Sequence, residues 1–134
     1  MESVVETDYF VYRQEAGIIY LRYKTIAFLD LSVAKAIVSS RLKIQDGLVY
    51  PIFCDTRGIR DSTKAGRDYL AREGSALAEV IVLFDDREMG GFMVDFFMLR
   101  NNPLVPTFNF KDKEEALQFL KGGLWKTDYY GTKR

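Results

Sequence analysis

The chain has 134 residues, 48% hydrophobic and 28% charged, with nineteen basic residues balanced by nineteen acidic ones. That composition is one of a single globular domain with a sizeable core, and it leaves no global field favouring nucleic acid or an anionic membrane. Histidine is absent and cysteine occurs once, which excludes Ser-His and Cys-His nucleophile pairs, His-ligated metal sites and an internal disulfide, and removes the commonest general base near neutral pH.

The first residues, Met-Glu-Ser-Val-Val-Glu-Thr-Asp, are acidic and lack the basic and apolar regions of a signal peptide. No apolar run reaches the roughly 18 residues of a membrane helix, so a cytoplasmic location without membrane insertion is expected. Residues 9–14 and 18–24 are rich in aromatic and β-branched side chains. Glu15-Ala16-Gly17 between them supplies a turn, predicting a β-hairpin. Asp30 or Ser32 can cap a helix running to about Gln45, with Ala34, Ile37, Val38, Leu42 and the stem of Arg41 on its inner face.

Asp46-Gly47 stops that helix and turns the chain into a strand over residues 49–55. Pro51 lacks a donor there, which places it near the strand's start or beside an irregular neighbour. A second helix is predicted from Asp61 or Ser62 to Glu73, with Ala65, Tyr69 and Leu70 inward and Lys64, Arg67 and Asp68 toward water. The apolar run 80–84 leads to a third helix over 89–101, and the run 107–110 leads to a fourth over 112–121. Asp112 and Glu115 form a capping-box pattern at the start of this last helix, and Gly122-Gly123 ends it. Residues 123–134 form an aromatic tail.

Strand–helix alternation of this kind predicts one α/β domain over 1–134, its core at about 8–122. The expected sheet is mixed, mostly parallel and five-stranded, opened by a hairpin, in the order ββαβαβαβα with about four helices. That order resembles the STAS domain, the family that includes sporulation-type anti-sigma-factor antagonists and the cytoplasmic tails of sulfate transporters. Bacterial STAS-like proteins are grouped with lipid-exchange domains of similar fold. In the antagonists a strand ending in aspartate leads through a short loop to Asp-Ser-Ser, whose serine at a helix start is the regulatory phosphorylation site. Here Cys54-Asp55 leads through Thr-Arg-Gly-Ile-Arg to Asp61-Ser62-Thr63. The loop is slightly shorter, and Lys64 stands where a glycine usually follows, which sets the chain in a separate STAS-like branch. The resemblance implies a non-catalytic regulatory or interaction module needing no cofactor.

Three groups of residues are candidate sites. At the second helix start, Ser62 and Thr63 with Arg57, Arg60 and Lys64 could accept or bind a phosphoryl group, because unpaired amides and the helix dipole favour an anion there. The same residues serve equally as helix caps and a solvated basic face. Asp55, Asp85 and Asp86, expected at neighbouring strand ends with Lys111 nearby, suit magnesium, the alternative being a receiver-like phosphoryl-transfer protein. Strand-end aspartates also serve turns. In the third helix, Phe92, Met93, Phe96, Phe97 and Met98 spread over more than one face, a surplus that one sheet-covering helix does not need. It can form a homodimer interface, line a pocket for a small apolar ligand, or lie under other parts of the chain. Cys54 reads as a small core residue.

Overall fold

A computed structural model describes residues 3–88, 104–123 and 125–126. The chain builds one six-stranded sheet, in the spatial order β1 (Ser3–Glu6), β2 (Phe10–Glu15), β3 (Ile18–Tyr23), β4 (Tyr50–Asp55), β5 (Ala78–Phe84) and β6 (Thr107–Phe110). The first three strands pair antiparallel and the remaining neighbours pair parallel. Three helices are formed among the described residues: α1 (Leu31–Gln45), α2 (Lys64–Glu73) and α3 (Lys113–Gly122). The helix expected at 89–101, with Phe92, Met93, Phe96, Phe97 and Met98, lies outside the described residues.

The sheet has six strands, not the five read from the sequence. The added strand, Ser3–Glu6, pairs along β2 but is exposed throughout. It therefore lacks the alternation of buried and exposed residues by which strands are recognised. The hairpin forms as expected, with Ala16 and Gly17 both at positive φ, 51° and 78°, the conformation a tight two-residue turn demands. Pro51 is the second residue of β4, where the register slips between Tyr50 and Pro51. The irregular pairing absorbs the missing donor.

Helices cover both faces. On one face α1 and α2 lie over Phe10, Tyr12, Ile19, Leu21, Ile52 and Cys54. On the other, α3 and Trp125 pack against Phe53, Val80, Val82 and Phe84, with the Trp125 indole N–H donating to the Leu120 carbonyl at 3.1 Å. Asp30 caps α1 by accepting from the Val33 amide at 2.9 Å, and Asp112 caps α3 by accepting from the Glu115 amide at 3.0 Å. Asp46 and Gly47 end α1 in the left-handed region. Arg41 is buried on the inner side of α1 and donates to Gln45 and to the carbonyls of Gly74 and Ala76, at 2.8 and 3.0 Å. Those carbonyls lie at the negative end of α2, where a cation is favoured.

Candidate functional site

The sheet does not stop at its strand ends. After β3 the chain keeps pairing, parallel to the segment that follows β4. Ile26 N–H donates to the Gly58 carbonyl at 2.9 Å and Arg60 N–H to the Ile26 carbonyl at 2.8 Å. Leu29 N–H then donates to the Asp61 carbonyl at 2.8 Å and Thr63 N–H to the Leu29 carbonyl at 3.1 Å. This ladder fixes the start of α2 beside that of α1. Gly66 makes the contact possible, since a Cβ there would lie 2.3 Å from the Leu29 carbonyl oxygen.

The sequence offered Asp61, Ser62 and Thr63 in a row as caps. Thr63 takes the role, its hydroxyl accepting from the Gly66 amide at 3.0 Å, so α2 begins later than expected. Gly66 turns inward while Ala65 is exposed, a correction to the face read from the sequence that follows from this shift of start. Ser62 is left just outside the helix, half-buried, its hydroxyl accepting from Arg67 Nη1 at 3.0 Å and its carbonyl from the same nitrogen at 3.2 Å. Arg67, expected to face water, folds back instead. Its return to Ser62 one and a half turns back was not legible in helical periodicity. Lys64 meets Asp68 at 2.8 Å along the helix surface. Arg57 and Arg60 are not gathered at Ser62; they line a separate depression with Arg22 and Lys24.

The strand-end aspartates do come together, each in the grip of an arginine. Arg57 forks onto Asp55, with Nε to Oδ1 at 3.0 Å and Nη2 to Oδ2 at 2.8 Å. Arg87 forks onto Asp85 at the same two distances. Asp86 is exposed and stands 3.5 Å from Arg57. Burial by itself would raise the Asp85 carboxyl, but hydrogen bonds from the Arg87 side chain and backbone and from Thr56 outweigh it and hold the group below the usual carboxylate range. Asp85 accepts two hydrogen bonds on each oxygen and Asp55 accepts three in all, which leaves little of either carboxylate for a magnesium ion. Among the described residues no group of three or more His, Cys, Asp or Glu is arranged to hold a metal.

A cavity of about 130 Å³ lies between the sheet and the two helices, walled by Leu21, Ile52, Cys54, Leu70 and Leu83, with Ser62 and Arg67 on its border. Arg87 and Thr107 also line it. The Cys54 thiol faces this interior and burial pushes it up to about 12, far from the thiolate a nucleophile requires. No helix among the described residues is long and apolar enough to cross a membrane.

Residues 12–123 match the model of a family described as a domain of unknown function, DUF7793. No curated protein matches the chain. Among solved structures it is similar to an uncharacterised DUF3478-family protein with a SpoIIAA-like fold from Shewanella loihica PV-4. The TM-score is 0.56 at 11% identity, covering 90% of this chain and 95% of that one. It is also similar to the anti-sigma factor antagonist SpoIIAA in its unphosphorylated form, with a TM-score of 0.50 at 12% identity, covering 91% and 99%. At such identities the likeness is one of fold: the described residues form a SpoIIAA-like α/β fold with a mixed sheet.

Proposed function

We propose that this chain, which belongs to the DUF7793 family, is a non-catalytic regulatory module acting through protein contacts, with the edge around Ser62 as its switch. The observation that carries the reading is the division of labour at the start of α2. Thr63 is spent on capping, whereas the Ser62 hydroxyl is half-buried and held only by Arg67 among the contacts described. A phosphoryl group on Ser62 would add roughly −1.5 to −2 charges at a helix N-terminus beside a guanidinium, where both dipole and ion pairing favour it. Phe28, 51% exposed, and Leu31, 38% exposed, flank Leu29, the residue bridged to Ser62. The edge therefore mixes apolar and charged groups as transient interfaces do. The fold of an anti-sigma factor antagonist, characterised in an unphosphorylated form, is consistent with such a role. The chemistry left to a protein without histidine and with a buried, unreactive thiol points the same way.

The test is a comparison of Ser62→Glu and Ser62→Ala baits expressed in the native cell, with phosphopeptide mapping of the wild-type chain. We expect phosphate on Ser62, and a partner retained by the alanine bait and lost by the glutamate bait. Absence of phosphate on Ser62 together with identical partners for both baits overturns the switch. A homodimer or a small apolar ligand on Phe92, Met93, Phe96, Phe97 and Met98 belongs to the same proposal, supported by the apolar surplus of that segment. Light scattering of Phe96→Asp against wild type reads it: a dimer reduced to monomer supports self-association, and a monomeric wild type rejects it.

A further inference from the structure

A second feature lies at the carboxyl ends of β3 and β4, apart from the Ser62 edge. It is a shallow polar depression of about 300 Å³, bordered by Arg22, Tyr23, Lys24 and Thr25 on one side and by Asp55, Arg57, Gly58 and Arg60 on the other. In a chain of zero net charge, four cations around one hollow are a local concentration. They are drawn from segments more than thirty residues apart, and two contacts bring them together. Arg22 is the register partner of Asp55. Gly58 lies flat against the end of β3, where a Cβ would sit 2.3 Å from the Lys24 carbonyl oxygen and 2.4 Å from that of Tyr23. The Ile26 bonds to Gly58 and Arg60 clamp the loop in that position.

The carboxylates nearby decide how much of this charge is available. Asp55 is taken by the Arg57 fork, and Asp86 also faces Arg57. Glu6 pairs with Lys24, which with its field and that of Arg22 holds the Glu6 carboxyl below its ordinary range. Asp61 turns an oxygen to the Ser62 amide at 2.7 Å. Among the described residues, no carboxylate comes within 4.0 Å of the exposed guanidinium of Arg22 or Arg60.

We infer that this depression binds a phosphate monoester dianion through the Arg22 and Arg60 guanidinium groups, with Lys24 and the Thr25 hydroxyl as further donors. Two planar forks match the oxygens of a phosphoryl group better than point charges do, and Arg57, held by Asp55, contributes field without giving up its partner. The site is open to solvent and salt, so the affinity is of roughly millimolar order and falls with ionic strength. The inference does not rest on Ser62, which borders the other cavity.

The experiment is an amide NMR titration of the full chain with inorganic phosphate at pH 8, against potassium chloride at equal ionic strength. Saturable shifts at the amides of Thr25, Gly58 and Arg60 are expected, at least about tenfold weaker in Arg22→Gln/Arg60→Gln. Both substitutions are on exposed side chains, and the remaining amide shifts report that the fold is kept. Affinity should also drop at pH 5.5, where the probe is a monoanion. A second arm uses a phosphoserine peptide and its unphosphorylated counterpart. Equal binding of phosphopeptide and free phosphate assigns the site to small phosphate esters, and tighter binding of the phosphopeptide assigns it to a phosphorylated protein. Shifts matched by chloride, or unchanged in the double variant, overturn the inference.

Discussion

The turns that follow β4 and β5 are built from one pattern, Asp-x-Arg, yet they do different work. In Asp55-Thr56-Arg57 and in Asp85-Asp86-Arg87 the third residue's amide donates to the aspartate Oδ1 at 3.1 Å, and the guanidinium closes the same fork on the carboxylate. Beyond that the two diverge. Arg87 Nη2 also donates to the carbonyls of Thr56 at 3.2 Å and Ile59 at 3.0 Å, and Thr56 Oγ1 donates to Asp85 Oδ2 at 2.9 Å. The β5 turn thus holds the β4 turn in place. Arg57 instead lies over the Phe84 ring, 4.8 Å from its centroid, and reaches out to Asp86. Identical local geometry makes a brace in one case and the rim of a basic hollow in the other. What distinguishes them is the wiring to the neighbouring strand.

That contrast makes the two aspartates unequal in their contribution to stability. Asp85→Asn leaves Arg87 partly uncompensated over a buried position and weakens both the Thr56 bond and the hold on the 56–59 loop. A loss of about 2–3 kcal/mol in urea unfolding is expected, below the full cost of a buried pair because Arg87 is partly exposed. Asp55→Asn, whose arginine is 41% exposed, should cost about 1 kcal/mol. Equal losses would erase the distinction between brace and rim.

A smaller effect follows from the depressed Asp85 carboxyl. The unfolded state takes up its proton near the ordinary value of about 3.9, before the folded state does. The stability this group contributes is therefore complete above that pH and is lost as the pH falls through the lower folded value. Urea midpoints measured from pH 6 to pH 3 should decline less steeply in Asp85→Asn than in wild type. Parallel acid limbs would show that Arg87 and Thr56 do not hold the carboxylate charged.

How much of this could be read beforehand follows from the range of each interaction. The hairpin, the helix caps at Asp30 and Asp112 and the strand-helix alternation are set by residues within a few positions of one another, and periodicity reports them. Strand β1 escaped because it buries nothing. At Asp61-Ser62-Thr63 three good caps in succession made the helix start ambiguous, and only the bond from Thr63 to Leu29 on another element decides it. The paired Asp-x-Arg turns are present in the sequence, where Asp55, Asp85 and Asp86 fit turns as well as a magnesium site and nothing local shows that the arginines of these turns fold back onto Asp55 and Asp85. The placing of Arg22 and Arg60 on one depression has no local signature. It depends on Gly58 approaching a strand end far away in the chain, which a lone glycine in a loop does not announce.

The finest test of the comparison is Thr56, which belongs to the β4 turn by sequence and to the β5 turn by its bonds. Its hydroxyl is buried and contacts the Phe84 carbonyl at 3.2 Å as well as Asp85. Thr56→Val keeps the shape and removes the one hydroxyl proton these two acceptors share, at an expected cost of about 1 kcal/mol. The informative quantity is the coupling. In a double-mutant cycle Thr56→Val should interact with Asp85→Asn by about 0.5 kcal/mol or more, since the two share a bond, and should be additive with Asp55→Asn. Coupling to Asp55 instead would mean that the turn works as a unit along the chain, and that the bonds from one strand end to the next only accompany it.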